Sequence, residues 1–90
     1  MIDSDSVLNL DHVAGILVFL LHNDGSLATE LRKVMGNYER LSRILRLLEA
    51  SGLVTIAIEK KPRVTHNVWL TEKGKTIAEK YEDIDAVLNS

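Results

Sequence analysis

Six cations and a few hydrogen-bonding side chains between residues 37 and 63 are the groups of this sequence with the clearest chemistry. Arg40, Arg43 and Arg46 recur at intervals of three, and Lys60, Lys61 and Arg63 surround Pro62 further along the chain. Cations so grouped suit a polyanion, because guanidinium and ammonium groups meet phosphate oxygens while amides, hydroxyls and guanidinium forks read the edges of bases. The expected contact set is Asn37, Tyr38, Glu39, Arg40, Ser42, Arg43, Arg46, Lys60, Lys61 and Arg63, and the expected partner is double-stranded DNA. Glu39 departs from the pattern. Its carboxylate repels phosphate, although it can accept a hydrogen bond from cytosine N4 in a major groove.

Catalytic chemistry has less to work with. His12, His22 and His66 are scattered, without the close spacing of a zinc motif or a glutamate placed as a general base. Zero cysteines exclude disulfides, thiolate metal sites and cysteine nucleophiles. A metal-sensing set of His12, His22 and Asp24 across two chains is conceivable but lacks thiolates. Gly25, Gly36, Gly52 and Gly74 stand singly and form no phosphate-cradling loop. The expectation is a non-enzyme with no cofactor and no metal.

The elements that must position these cations can be read from periodicity. Leu41, Ile44, Leu45 and Leu48 repeat at i, i+3, i+4 and i+7, so they form the buried stripe of a helix. At 100° per residue, Glu39, Ser42, Arg43, Arg46 and Ala50 fall opposite, with Arg40 on the flank. Gly52 ends that helix as a C′ residue, and a shorter helix signal precedes it, separated by Met35, Gly36 and Asn37. Residues 53 to 59 and 64 to 70, rich in β-branched side chains, predict two strands joined by the basic turn. Trp69 on the second run is expected to anchor the core.

Ser42-Arg43-Ile44-Leu45-Arg46-Leu47-Leu48-Glu49-Ala50-Ser51-Gly52-Leu53-Val54, followed by Leu70-Thr71-Glu72-Lys73-Gly74-Lys75, resembles the small prokaryotic winged-helix regulators of the MarR, ArsR and PadR type. The resemblance covers roughly residues 11 to 82. It implies an α+β winged helix-turn-helix: a three-helix core, a two- or three-stranded β-wing and an additional C-terminal helix. It further implies a second helix in the major groove, with Ser42 and Arg43 at base edges, and a wing whose Lys61 and Arg63 meet the phosphate backbone. Some winged helices bind proteins instead, and that is the alternative here, supported by Glu39 and by acidic termini.

Charge is distributed to match. Residues 1 to 31 carry five acids and no Lys or Arg, residues 32 to 63 carry eight bases and three acids, and residues 64 to 90 carry three bases and five acids. The overall charge of −2 therefore conceals a basic centre of +5. Ninety residues, 46% of them hydrophobic, fit one domain over 1–90, with a flexible or partly ordered stretch at 1–10. The acidic start is no secretory signal, so a cytoplasmic protein is expected.

Two helices remain. Asp11 reads as the N-cap of one that runs to about Asn23, whose uncharged stretch from Val13 to Leu21 is too short to cross a bilayer. Val13, Ile16, Leu17 and Leu20 make its core stripe, leaving Ala14, Val18 and Leu21 on a second apolar face. Thr71 reads as the N-cap of the last helix, at 71–89, along which Ile77, Tyr81, Ile84 and Leu88 form a seam. Ala14, Val18, Leu21, Tyr81, Ile84 and Leu88 are the expected interface of a homodimer, which would set two recognition helices about 34 Å apart.

Overall fold

The computed structural model describes residues 6–10 and 12–90, and Asp11, expected to cap the first helix, lies outside the described residues. A 3-10 turn at Val7–Asn9 leads into α1, Val13–His22. Val7, Leu8 and Leu10 lie partly buried against the core, and residues 1 to 5 of the stretch expected to be flexible or partly ordered lie outside the described residues. On α1 the four buried residues are Val13, Ile16, Leu17 and Leu20, the stripe read from the sequence.

Three strands form one antiparallel sheet in the order β1-β3-β2: β1 is Ser26–Leu27, β2 is Val54–Glu59 and β3 is Thr65–Leu70. β2 and β3 pair along their whole length, from Val54 opposite Leu70 to Glu59 opposite Thr65. β1 covers only two residues of β3, with Ser26 opposite Val68 and Leu27 opposite Asn67. Two residues are too few for an alternation pattern, which is why β1 is invisible to sequence periodicity.

The short helix signal before the Met35-Gly36-Asn37 break is realised as a 3-10 helix, Ala28–Lys33, closed at its start by the Glu30 carboxylate accepting from the Leu27 N–H at 3.2 Å. α2 follows at Tyr38–Ala50 and buries Leu41, Ile44, Leu45 and Leu48. It stops where Gly52, at φ +78°, takes the left-handed conformation. The Gly52 N–H donates to the Glu49 carbonyl and the Leu53 N–H to the Leu48 carbonyl, both at 3.0 Å, the double closure of a Schellman end.

α3, Glu72–Leu88, begins as expected with the Thr71 side chain accepting from the Gly74 N–H. Gly74 lies so close to the α2–β2 corner that an added Cβ would stand 2.0 Å from the Leu53 carbonyl oxygen. Gly74 and Ala78 are the buried residues of α3, and Ile77 and Tyr81 flank them half-buried. Small residues here let the helix backbone press on the corner, and the larger ones lean toward α1. Trp69 corrects an expectation. It is 45% exposed, on the outward sheet face opposite Thr55, with its ring against Gly25. The strand's odd position points away from the core, and Val68 and Leu70 fill it instead.

Candidate nucleic-acid interface

α2 presents its polar face to solvent because its four buried residues use up the opposite face. Tyr38, Glu39, Ser42, Arg43 and Arg46 wall a shallow groove along it. Glu39, Arg40, Arg43 and Arg46 are exposed, and Ser42 is half-buried toward the sheet. Asn37 has a structural task as well, since its side-chain oxygen accepts from the Arg40 N–H at 3.1 Å and caps α2. The cap fixes where the helix starts, and so fixes the angular position of every arginine after it.

The basic turn stands at the end of the β2–β3 hairpin. Lys60, Lys61, Pro62, Arg63 and Val64 form the loop, and all five are exposed. Its orientation to α2 is set by the sheet: Ile56 and Val68 face α2, and the Glu49 carboxylate accepts from the Ile56 N–H at 3.3 Å. A second groove lies between α2 and this sheet face, walled by Ser42, Arg46, Glu49, Ile56 and His66 among others. The structure thus gathers Tyr38, Glu39, Ser42, Arg43 and Arg46 along one groove of α2, with Asn37 at its cap and Arg40 on its flank, and sets Lys60, Lys61 and Arg63 at one hairpin tip, where Arg63 and Tyr38 line a common groove. His66, set aside in the sequence, lines the space between them. Only the strand register reveals that position, because it puts His66 opposite Ile58 on the inner row.

On the other side, α1 and α3 pack together and leave a groove of about 410 Å³ lined by Ala14, Val18, Tyr81, Ile84 and Leu88 with Glu82 and Asp85. Ile84 is 62% and Leu88 78% exposed. Leu21, on α1, is half-buried against the core and stands outside the lining of this groove. His22 Nε2 pairs with Glu82, tying the end of α1 to α3. Burial raises the Tyr81 phenol above its ordinary 10.0. Asp24 accepts from the Leu70 N–H at 2.9 Å, which ties the turn after α1 to the end of β3. Among the described residues no helix is long and apolar enough to cross a membrane.

Comparison with solved structures settles the architecture. A transcriptional regulator homologue from Pyrococcus horikoshii OT3 superposes with a TM-score of 0.76 at 26% identity, over 96% of this chain and 88% of that one. A protein from Archaeoglobus fulgidus gives a TM-score of 0.78 at 20% identity, over 92% and 94% of the two chains. The fold is a winged helix-turn-helix. The same winged helix lies within MepR, a transcription regulator of the Staphylococcus aureus multidrug efflux pump MepA, at a TM-score of 0.72 and 22% identity. There 88% of this chain spans 59% of MepR. No protein-family model matches the chain, and no curated protein matches it by sequence. The resemblance to small prokaryotic winged-helix regulators read from residues 42 to 54 and 70 to 75 therefore holds at the level of three-dimensional structure.

Proposed function

We propose that this winged helix is a homodimeric transcriptional regulator that binds double-stranded DNA in a sequence-specific manner, with α2 as recognition helix in the major groove and the 60–64 wing on the backbone. The observation that carries the reading is the coincidence of charge and geometry. The +5 segment of residues 32 to 63 holds both the outward face of α2 and the wing tip, while both flanking segments are acidic. A −2 chain with such a face meets a duplex one way round. In this reading Ser42 and Arg43 contact base edges, and Lys60, Lys61 and Arg63 contact phosphates. The solved structures described as transcriptional regulators support the same reading.

The apolar groove between α1 and α3 supports the dimer. Ala14, Val18, Tyr81, Ile84 and Leu88 line apolar surface that a second copy would cover, with Leu21 of the expected interface half-buried beside it, and contiguous patches beyond a few hundred Å² are uncommon on monomers. A two-fold pairing through this face leaves both recognition helices free.

A salt titration on random-sequence duplex tests the DNA reading. Log affinity should fall linearly with log salt, by about 0.9 for each phosphate neutralised. Absence of duplex binding at low salt would overturn it and leave a protein-docking module.

A further inference from the structure

Three surface grooves of this molecule have carboxylates in their walls: Glu39 on the outer face of α2, Glu49 between α2 and the sheet, and Glu82 with Asp85 between α1 and α3. A fourth, of about 360 Å³, has none. It gathers instead Thr29, Tyr38, Arg63 and His66, which supply two hydroxyls, a guanidinium and an imidazole.

The sheet makes this groove. β1 pairs with β3 only at Asn67 and Val68, and then the chain turns away into the 3-10 helix. On that side the edge of β3 is left without a strand toward the wing, and a gap opens between Thr29, the first residue of α2 and residues 63 to 66. His66 stands at its inner wall. The row it belongs to is otherwise Val54, Ile56 and Ile58 on β2 with Val68 and Leu70 on β3, all apolar. A half-buried imidazole ends that row where an aliphatic side chain would have continued it.

The geometry points to a seat for one backbone phosphodiester of duplex DNA, held by Thr29, Tyr38 and His66 beside the Arg63 cation. The inference rests on the DNA-binding reading. With α2 in the major groove and the wing tip on the neighbouring backbone, one sugar-phosphate strand must cross the space between them, and this groove occupies that space. Two anionic oxygens accept several hydrogen bonds, and a wall without carboxylates adds no repulsion. The charged and titratable groups around the seat are Arg46, Glu49 and Tyr38 from α2 and Arg63 from the wing, with Glu59 opposite Thr65 on the outward sheet face. Arg46 and Arg63 outnumber Glu49, which keeps the seat selective for anions.

The test is fluorescence anisotropy of the full chain on a labelled duplex over a range of salt. His66→Leu, which continues the apolar row, should lower affinity about fivefold, the worth of one hydrogen bond. Thr29→Val removes an exposed hydroxyl without changing shape. It should lower affinity about fivefold with an unchanged slope. Circular dichroism establishes folding, and if His66→Leu fails to fold, Thr29→Val alone decides, with undiminished duplex affinity overturning the seat. Duplex binding by His66→Leu as tight as that of the wild type overturns the seat and leaves the DNA reading intact. No duplex binding in the wild type removes both. Inorganic phosphate, titrated while the His66 imidazole is followed by NMR, separates the sources: a response to phosphate from a protein that ignores duplex makes this a small-anion site and overturns the strand assignment.

Discussion

α1 and α2 bury four residues each at the same spacing, Val13, Ile16, Leu17 and Leu20 on one and Leu41, Ile44, Leu45 and Leu48 on the other. What lies opposite differs. Behind the buried stripe of α2 stand Glu39, Ser42, Arg43 and Arg46; behind that of α1 stand Ala14, Val18 and Leu21. Identical core stripes therefore say only that both helices pack on the same centre. The outward residues carry the functional information, and they separate the molecule into a polar face rich in arginine and an apolar face, the one proposed for DNA and the other for a second copy.

The comparison is broken most severely by placing charge on the apolar side. Val18→Glu or Ile84→Glu should convert a dimer into monomers with unchanged helix content, because the carboxylate would be buried without a partner. Operator affinity should then drop by roughly a hundredfold or more, since two linked half-sites gain from effective concentration. Sedimentation of the wild type at micromolar concentration checks the premise; a 10.1 kDa species alone would remove the dimer.

Gly74→Ala tests what the two faces share. The added Cβ would meet the Leu53 carbonyl oxygen at 2.0 Å, so α3 must lift from the α2–β2 corner. A loss of about 3 kcal/mol is expected, at the upper end of overpacking costs, read as a large fall in Tm. Gly36→Ala, with nothing within 4 Å of the new Cβ, is the control and should stay within about 0.5 kcal/mol.

Arg43→Ala sharpens the other side. It should cost about 1 to 3 kcal/mol on a preferred site and less on random duplex, as for loss of a bidentate guanine contact. Equal losses on both would move Arg43 to the backbone. Lys61→Ala and Arg63→Ala should weaken all sequences alike and lessen the salt slope by about 1 each; slopes that stay put would take the wing off the DNA.

The smallest effect concerns Tyr81. Its phenol is raised above 10.0 by burial, so the folded chain holds the proton that the unfolded chain releases first. The neutral phenol's contribution is complete below pH 10 and is lost as pH rises through the folded value. Urea unfolding followed across the alkaline range should show this decline, and Tyr81→Phe should flatten it.

Much of the fold was legible because its signals are local. The α2 stripe, the Gly52 stop, the Thr71 cap and the two β-branched runs each depend on residues within a few positions of one another. What escaped depends on partners distant in sequence. The 3-10 geometry of Ala28–Lys33 and the two-residue β1 are too short for periodicity to speak. Trp69 is an apolar residue whose side of the sheet is fixed by register, and it falls outward against Gly25. His66 is the converse, a polar residue turned inward by the same register. Asn37 was legible as a polar residue ahead of the arginines, while its capping of Arg40 required the helix to be seen. The cations of the candidate site were plain in the sequence, whereas the hydroxyls and imidazole between them were not.

The corner at Gly52, Leu53 and Thr71 has a mechanical meaning. Thr71 donates from its hydroxyl to the Gly52 carbonyl at 2.7 Å and from its N–H to the Leu53 carbonyl at 3.1 Å, and Gly74 wedges against the same oxygen. The end of α2 is thereby clamped to the start of α3, and the two helices move as the arms of one rigid elbow. If two copies pair through the α1–α3 face as proposed, that face would be the pivot of a caliper, with an α2 at the tip of each jaw. A few degrees of opening there would translate into ångströms between the tips, so the span of DNA measured would be set at the face that does not touch it.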